Sequence, residues 1–213
     1  MAGRTDFHSG EPVILPHVNF ADQRGAERVA VMIRTAKLVS AAGEFLCVVR
    51  DISATGVRLK LFHDLPDDVR LSLHLANGTA YRLDMVWQEC GQAGFRFDRP
   101  IDVESFIHGH SGEARHPVRL CLHVPVFLAA GALEEPVTLT SLSQQGADFE
   151  SARHLAVGEP VKLWCEGQPC LIGTICSRSG NSYGVVLRSH FGIGELARLA
   201  ADLQFGRNRT MPV

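Results

Sequence analysis

The chain has 213 residues, 46% of them hydrophobic and 21% charged, with a formal net charge of −2 and an isoelectric point near 6.5. That length suits one large domain or two small ones, and the near-neutral charge argues against a protein built to coat nucleic acid. No apolar run approaches the ~18 residues of a membrane span, and no sustained apolar run follows Arg4, so no secretory signal is expected.

Residues 1–19 read as an N-terminal arm in which Pro12 and Pro16 interrupt regular structure around Val13, Ile14 and Leu15. This arm is expected to pack on a neighbouring element or to serve as a docking segment. In "DQRGAERVAV" a polar segment carrying Arg24 and Arg28 runs straight into an apolar, alternating one at Val29, Val31 and Ile33. The runs "EFLCVVRDI", "GVRLKLF", "VRLSLHL", "YRLDMVW" and "GFRF" follow, each short and of period two, the pattern of half-buried strands. Asn77-Gly78 predicts a hairpin, since both residues tolerate the positive φ of a type I′ turn. "IDVESFI" (Ile101–Ile107) predicts a short helix, and a Gly- and Ser-bearing linker, "HGHSGE", follows it. Near the end, Ile193, Leu196, Leu199, Ala200 and Leu203 recur at helical spacing. That helix is expected to cap a barrel mouth; contact with a second copy of the chain is the alternative role.

The organisation is decided by an internal repeat. A second pair of arginines four apart, Arg115 and Arg119 in "EARHPVRLCL", lies 91 residues after the first pair, and no other such pair occurs. "DISATG" (Asp51–Gly56) is matched 90 residues later by "SLSQQG" (Ser141–Gly146), and "AGFRF" (Ala93–Phe97) by "YGVVL" (Tyr183–Leu187) at the same offset. "LPDDVRLSL" parallels "LAVGEPVKLW", and Asn77-Gly78 parallels Glu166-Gly167. Short strands that close on themselves leave no exposed edge. The expected fold is therefore all-β: two tandem small six-stranded β-barrels, with a C-terminal α-helix after the second.

Arg24-x-x-x-Arg28, Asp51-x-Ser53-x-x-Gly56 and the later span from Trp87 to "GFRF" together resemble the PilZ domain family. The resemblance covers residues 20–108 well and 112–206 more loosely, leaving 207–213 as a tail. It implies PilZ-like barrels that bind cyclic di-GMP, with no other cofactor. Arginine suits such a ligand, because its planar fork matches both a guanine edge and a phosphate. Positions four apart on an extended segment fall on one side, so Arg24 and Arg28 can reach one ligand. By the same resemblance Asp51 accepts guanine N–H groups or orients an arginine, Ser53 donates to phosphate or backbone, and Gly56 permits a turn or a close approach. A purely local turn is the competing reading for Asp51, Ser53 and Gly56.

The second copy keeps Arg115, Arg119, Ser143 and Gly146 but has Ser141 where the family has Asp or Asn. Pro117 stiffens its arginine segment. It reads as a second site or as a structural, partner-facing module. The overall expectation is a non-enzymatic cytoplasmic receptor that orders its arginine arm on binding and signals to a downstream protein, without membrane or nucleic-acid polymer. The alternative is a nucleotide-independent PilZ-like adaptor.

Other clusters carry less. His108 and His110 fit no usual zinc spacing with Cys165, Cys170 or Cys176, so no metal is expected. Asp67-Asp68 reads as a solvated bend, and neither GxSxG nor GxxxxGK[ST] occurs. Trp87 and Trp164 are expected to pack in the barrels. The six cysteines contain no CxxC pair and read as reduced thiols.

Overall fold

The computed structural model describes residues 29–65, 70–108 and 117–206. The N-terminal arm, Arg24, Arg28, the Asp67-Asp68 bend, the linker from Gly109, Arg115 and the 207–213 tail lie outside the described residues.

Alternating apolar residues become strands whose inner faces meet in two cores. β1 (Val29–Ser40), β2 (Gly43–Ile52), β3 (Gly56–Lys60), β4 (Leu71–Leu75), β5 (Ala80–Glu89) and β6 (Gln92–Phe97) close into a barrel in the order β1-β2-β3-β6-β5-β4. α1 (Val103–His108) follows. β7 (Leu120–Ala130), β8 (Leu133–Leu142), β9 (Gly146–Glu150), β10 (Pro160–Trp164), β11 (Leu171–Ser179) and β12 (Ser182–Leu187) close in the same cyclic order, strand for strand. α2 (Ile193–Phe205) ends the described chain. The expected pair of six-stranded barrels, with a helix after the second, is what forms. All ladders are antiparallel.

β7 shows the packing rule most plainly. Leu120, Leu122, Val124, Val126, Leu128 and Ala130 are buried, while Cys121, His123, Pro125 and Phe127 between them face out. Burying each of the Leu and Val side chains stabilises the fold by ~1.5–3 kcal/mol, so the inward rows dominate the energetics. In the first barrel Phe106 of α1 is fully buried and packs against Tyr81 and Phe97, which closes one end. Asp102 caps α1 by accepting the backbone N–H of Glu104 at 3.1 Å and that of Ser105 at 3.3 Å. Arg34 donates to the carbonyls of Phe106 and Ile107, at the other end of the same helix. α2 buries Leu196, Ala197, Leu199, Ala200 and Leu203 in the second core, as its spacing predicts.

The Asn77-Gly78 hairpin differs in its turn. Gly78 alone takes positive φ, +83°; Asn77 does not, and its Oδ1 accepts the Thr79 N–H at 3.1 Å. With Gly78 N–H donating to Leu75 carbonyl, this is a three-residue loop closed by a left-handed glycine, not a type I′ turn. Cys90 and Gly91, at φ +49° and +69°, make the two-residue turn between β5 and β6 instead.

The two barrels are joined. Leu46 of β2 belongs to the second core, and Phe45 stacks on Phe205 of α2 at 5.4 Å. No helix among the described residues is long and apolar enough to cross a membrane. All six cysteines are unbonded.

Candidate functional site

Among the described residues, three register shifts in each barrel recur at equivalent places. In the first barrel they fall between Ala30 and Arg34, Val49 and Asp51, and Met85 and Trp87. In the second they fall between Cys121 and Val124, Leu139 and Ser141, and Ile175 and Ser177. A bulge inserts one residue and so re-aims every side chain after it. Phe45, Cys47 and Val49 point into the core; the bulge at Arg50 turns Asp51 outward and returns Ile52 to the core. The bulge at Val86 does the same for Trp87, which remains 39% exposed. Trp87 was expected inside the barrel because strict period two places it with Leu83; the inserted residue reverses its face.

Four strands now align one outward row. Asp51 on β2 is opposite Arg58 on β3, Arg58 is opposite Gly94 on β6, and Gly94 is opposite Trp87 on β5. Asp51 and Arg58 form an ion pair. The Trp87 indole lies directly over Gly94, where any Cβ would collide with the ring. Beside this row opens a cleft of about 430 Å³ lined by Arg50, Arg58, Lys60, Cys90, Gly91 and Gln92. Among the described residues no carboxylate pairs with Arg50 or Lys60. The surface therefore offers three cations, one carboxylate and an exposed aromatic face, which suits a flat, anionic ligand.

Ser53 and Gly56 hold the turn that carries Asp51. Ser53 N–H donates to Gly56 carbonyl at 2.8 Å, and Ser53 Oγ accepts Gly56 N–H at 3.1 Å. A Cβ on Gly56 would sit 2.7 Å from the Phe95 carbonyl oxygen, so glycine lets β3 approach β6. The local reading of these two residues is thus realised in the fold. Ser143 and Gly146 repeat it, with Oγ to N–H again at 3.1 Å.

The corresponding row of the second barrel is Ser141, Asp148, Gly184 and Ser177. Arg58 is replaced by Asp148, Lys60 by Glu150 and Trp87 by Ser177, each 90 residues on. Arg119 Nη1 donates to Ser141 Oγ at 2.8 Å and pairs with Asp148. Of the residues expected to form sites, the structure gathers Asp51, Ser53 and Gly56 in one barrel, and Arg119, Ser141, Ser143 and Gly146 in the other. Arg24, Arg28 and Arg115 lie outside the described residues.

Sequence reading did not find Arg50, Arg58, Lys60 or Trp87. The available signal was Arg58 and Lys60, two apart in "GVRLKLF", which puts both on the face away from Leu59. Among the described residues no group of three or more His, Cys, Asp or Glu could hold a metal ion.

This is a small barrel with a charged, aromatic-bearing outer face, and the family model named PilZ domain matches it over residues 22–108. Residues 22–108 are a PilZ domain, and a second barrel of the same topology follows it. No curated protein matches the chain. Among solved structures, PlzA of Borreliella burgdorferi in complex with c-di-GMP is 12% identical, covering 80% of this chain and 87% of that one, at a TM-score of 0.34. The inhibitor of motility of Bacillus subtilis is 10% identical over 84% and 100% of the two chains, at 0.33. YcgR of Escherichia coli in complex with c-di-GMP is 12% identical over 83% and 84%, at 0.31.

Proposed function

We propose that the chain is a receptor for cyclic di-GMP, with residues 20–108 as the principal binding unit and 112–206 as a second unit. The observation that carries this reading is the outward row Asp51–Arg58–Gly94–Trp87 beside the cation-lined cleft, within a PilZ domain. Arg24 and Arg28 supply forks for guanine edges and phosphates. The register supports their reach, since β1 pairs Ala30 with Asp51 and Arg28 stands two residues earlier in the chain. Asp51 accepts guanine N–H groups and holds Arg58. The Trp87 ring offers a stacking face, and Ser53 and Gly56 fix the turn beneath.

PilZ proteins in general act as effectors rather than enzymes, and this chain is proposed to act likewise, in the cytoplasm. Binding orders the 20–28 segment, changes how β1 meets the second barrel, and is read by a downstream protein or a second copy. A nucleotide-independent adaptor is the second reading. It is favoured only for the second barrel, whose row has lost the arginine and the tryptophan.

Calorimetric titration with cyclic di-GMP, beside an Arg24→Ala/Arg28→Ala variant, tests the proposal. Saturable binding that the variant abolishes is the expected result. Absence of binding at high micromolar ligand would replace the receptor by the adaptor.

A further inference from the structure

Arg119 is the second barrel's counterpart of Arg28, and its guanidinium is already engaged. Nη1 meets the Asp148 carboxylate and Ser141 Oγ, and Ser141 Oγ in turn donates to Asp148 Oδ2 at 2.6 Å. Among the described residues the first barrel shows no such loop of contacts; there the position of Asp148 holds Arg58 and the carboxylate stands across the ladder at Asp51. The charge at this position of the row is inverted between the copies. Glu150, in the place of Lys60, extends the inversion along β9.

We propose that Asp148 is the specificity-determining residue of the second barrel: a built-in carboxylate that occupies Arg119 in the position an anionic ligand would take, closing this barrel to cyclic dinucleotides. The proposal rests on reading the first barrel as a cyclic di-GMP site. An incoming phosphate would have to displace Asp148 from Arg119 and then lie beside a freed carboxylate, a like-charge contact. Ser177 offers no ring for a displaced guanine to stack on. The same arginine has a second duty that fits a locked conformation. Its carbonyl accepts Lys37 Nζ of the first barrel at 3.2 Å, and two residues on, Cys121 N–H donates to Glu44 at 2.6 Å. Closing the site thus fixes the end of β7 that joins the barrels.

The test is calorimetric titration of the full chain with cyclic di-GMP in three forms: wild type, Arg24→Ala/Arg28→Ala, and that variant with Ser141→Asp and Asp148→Arg added to give the second row the charged residues of the first. One site in the wild type, none in the second form and saturable binding at least about tenfold stronger than background in the third are expected. Should the third form lose its far-UV dichroism, Asp148→Asn in the same background replaces it, with the same gain expected. Residual binding in the second form that Arg119→Ala removes would overturn the proposal, as would a folded third form with no gain. If the wild type binds nothing, the receptor reading fails separately, and the latch is judged by thermal unfolding. Arg119→Ala and Asp148→Ala should each lower Tm, with the double variant no lower than the weaker single one. Fully additive losses would overturn it.

Discussion

The Glu44 carboxylate, on the first barrel, accepts the backbone N–H of Cys121, on the second, at 2.6 Å. The same carboxylate pairs with Lys37 at 2.7 Å, and the Glu44 backbone exchanges two hydrogen bonds with the Gln204 side chain, both at 2.9 Å. One residue therefore gathers β1, β7 and α2. Its side chain is only 16% exposed, so the carboxylate itself is largely shielded from water.

Removing that acceptor leaves the Cys121 N–H and the Lys37 ammonium without it. Glu44→Ala is expected to cost about 1–3 kcal/mol, the range for orphaned partly buried partners. Urea unfolding followed by circular dichroism should show a lower midpoint, or a split into two transitions. An unchanged single midpoint would show that the barrels do not depend on this joint.

Two glycines at equivalent positions give an internal comparison. Alanine at Gly56 meets the Phe95 carbonyl at 2.7 Å, whereas alanine at Gly146 meets that of Val185 at 3.0 Å. Both neighbours are backbone and yield little. Gly56→Ala is expected to destabilise by about 1–3 kcal/mol, and Gly146→Ala by less. Thermal unfolding of the two variants decides the order.

Acidification should weaken the fold through His74. Burial lowers its pKa below the ordinary 6.5, Lys37 beside it lowers it further, and Glu44 opposes. Between the folded value and 6.5 the unfolded chain binds more protons than the folded one, so this stabilisation is complete above 6.5 and is lost as pH falls through the folded value. Tm measured from about pH 7.5 to about pH 5 should fall less steeply in His74→Gln than in the wild type. Parallel slopes would remove His74 from the account.

Trp87 and Arg58 are largely on the surface, so their removal should spare the fold and reduce binding. Trp87→Ala is expected to weaken cyclic di-GMP binding by ~1–3 kcal/mol, the range for loss of an aromatic stacking platform. Arg58→Ala removes one cation from the cleft and frees Asp51, and its loss should grow as salt is lowered. Affinities equal to wild type in both would detach the row from the ligand.

The barrels were legible because inward apolar residues alternate and because the pattern returns after 90 residues. α1 and α2 were legible for the same kind of reason, their apolar residues recurring at helical spacing around Phe106 and Leu196. Asp51, Ser53 and Gly56 were located by their spacing, although Ser53 and Gly56 turn out to hold each other. What escaped was register. A bulge at Val86 has no signature in the apolar pattern, yet it decides whether Trp87 faces core or solvent. Asp148 was missed because its partner Arg119 lies 29 residues away and meets it only across paired strands. At Asn77-Gly78 the residue types suit two turns, and the closure of Leu75 on Thr79 selects the longer one.

The most direct test of the central claim uses Trp87 itself. Trp87 and Trp164 are the two tryptophans of the chain, so Trp164→Phe leaves one indole, over Gly94 in the row that carries the Asp51–Arg58 pair. Titrating that variant with cyclic di-GMP and following tryptophan emission should give a saturable change that disappears when Arg24 and Arg28 are also replaced by alanine. An emission spectrum unmoved at saturating ligand, in a folded protein, would contradict the claim that this face of the first barrel is where the nucleotide sits.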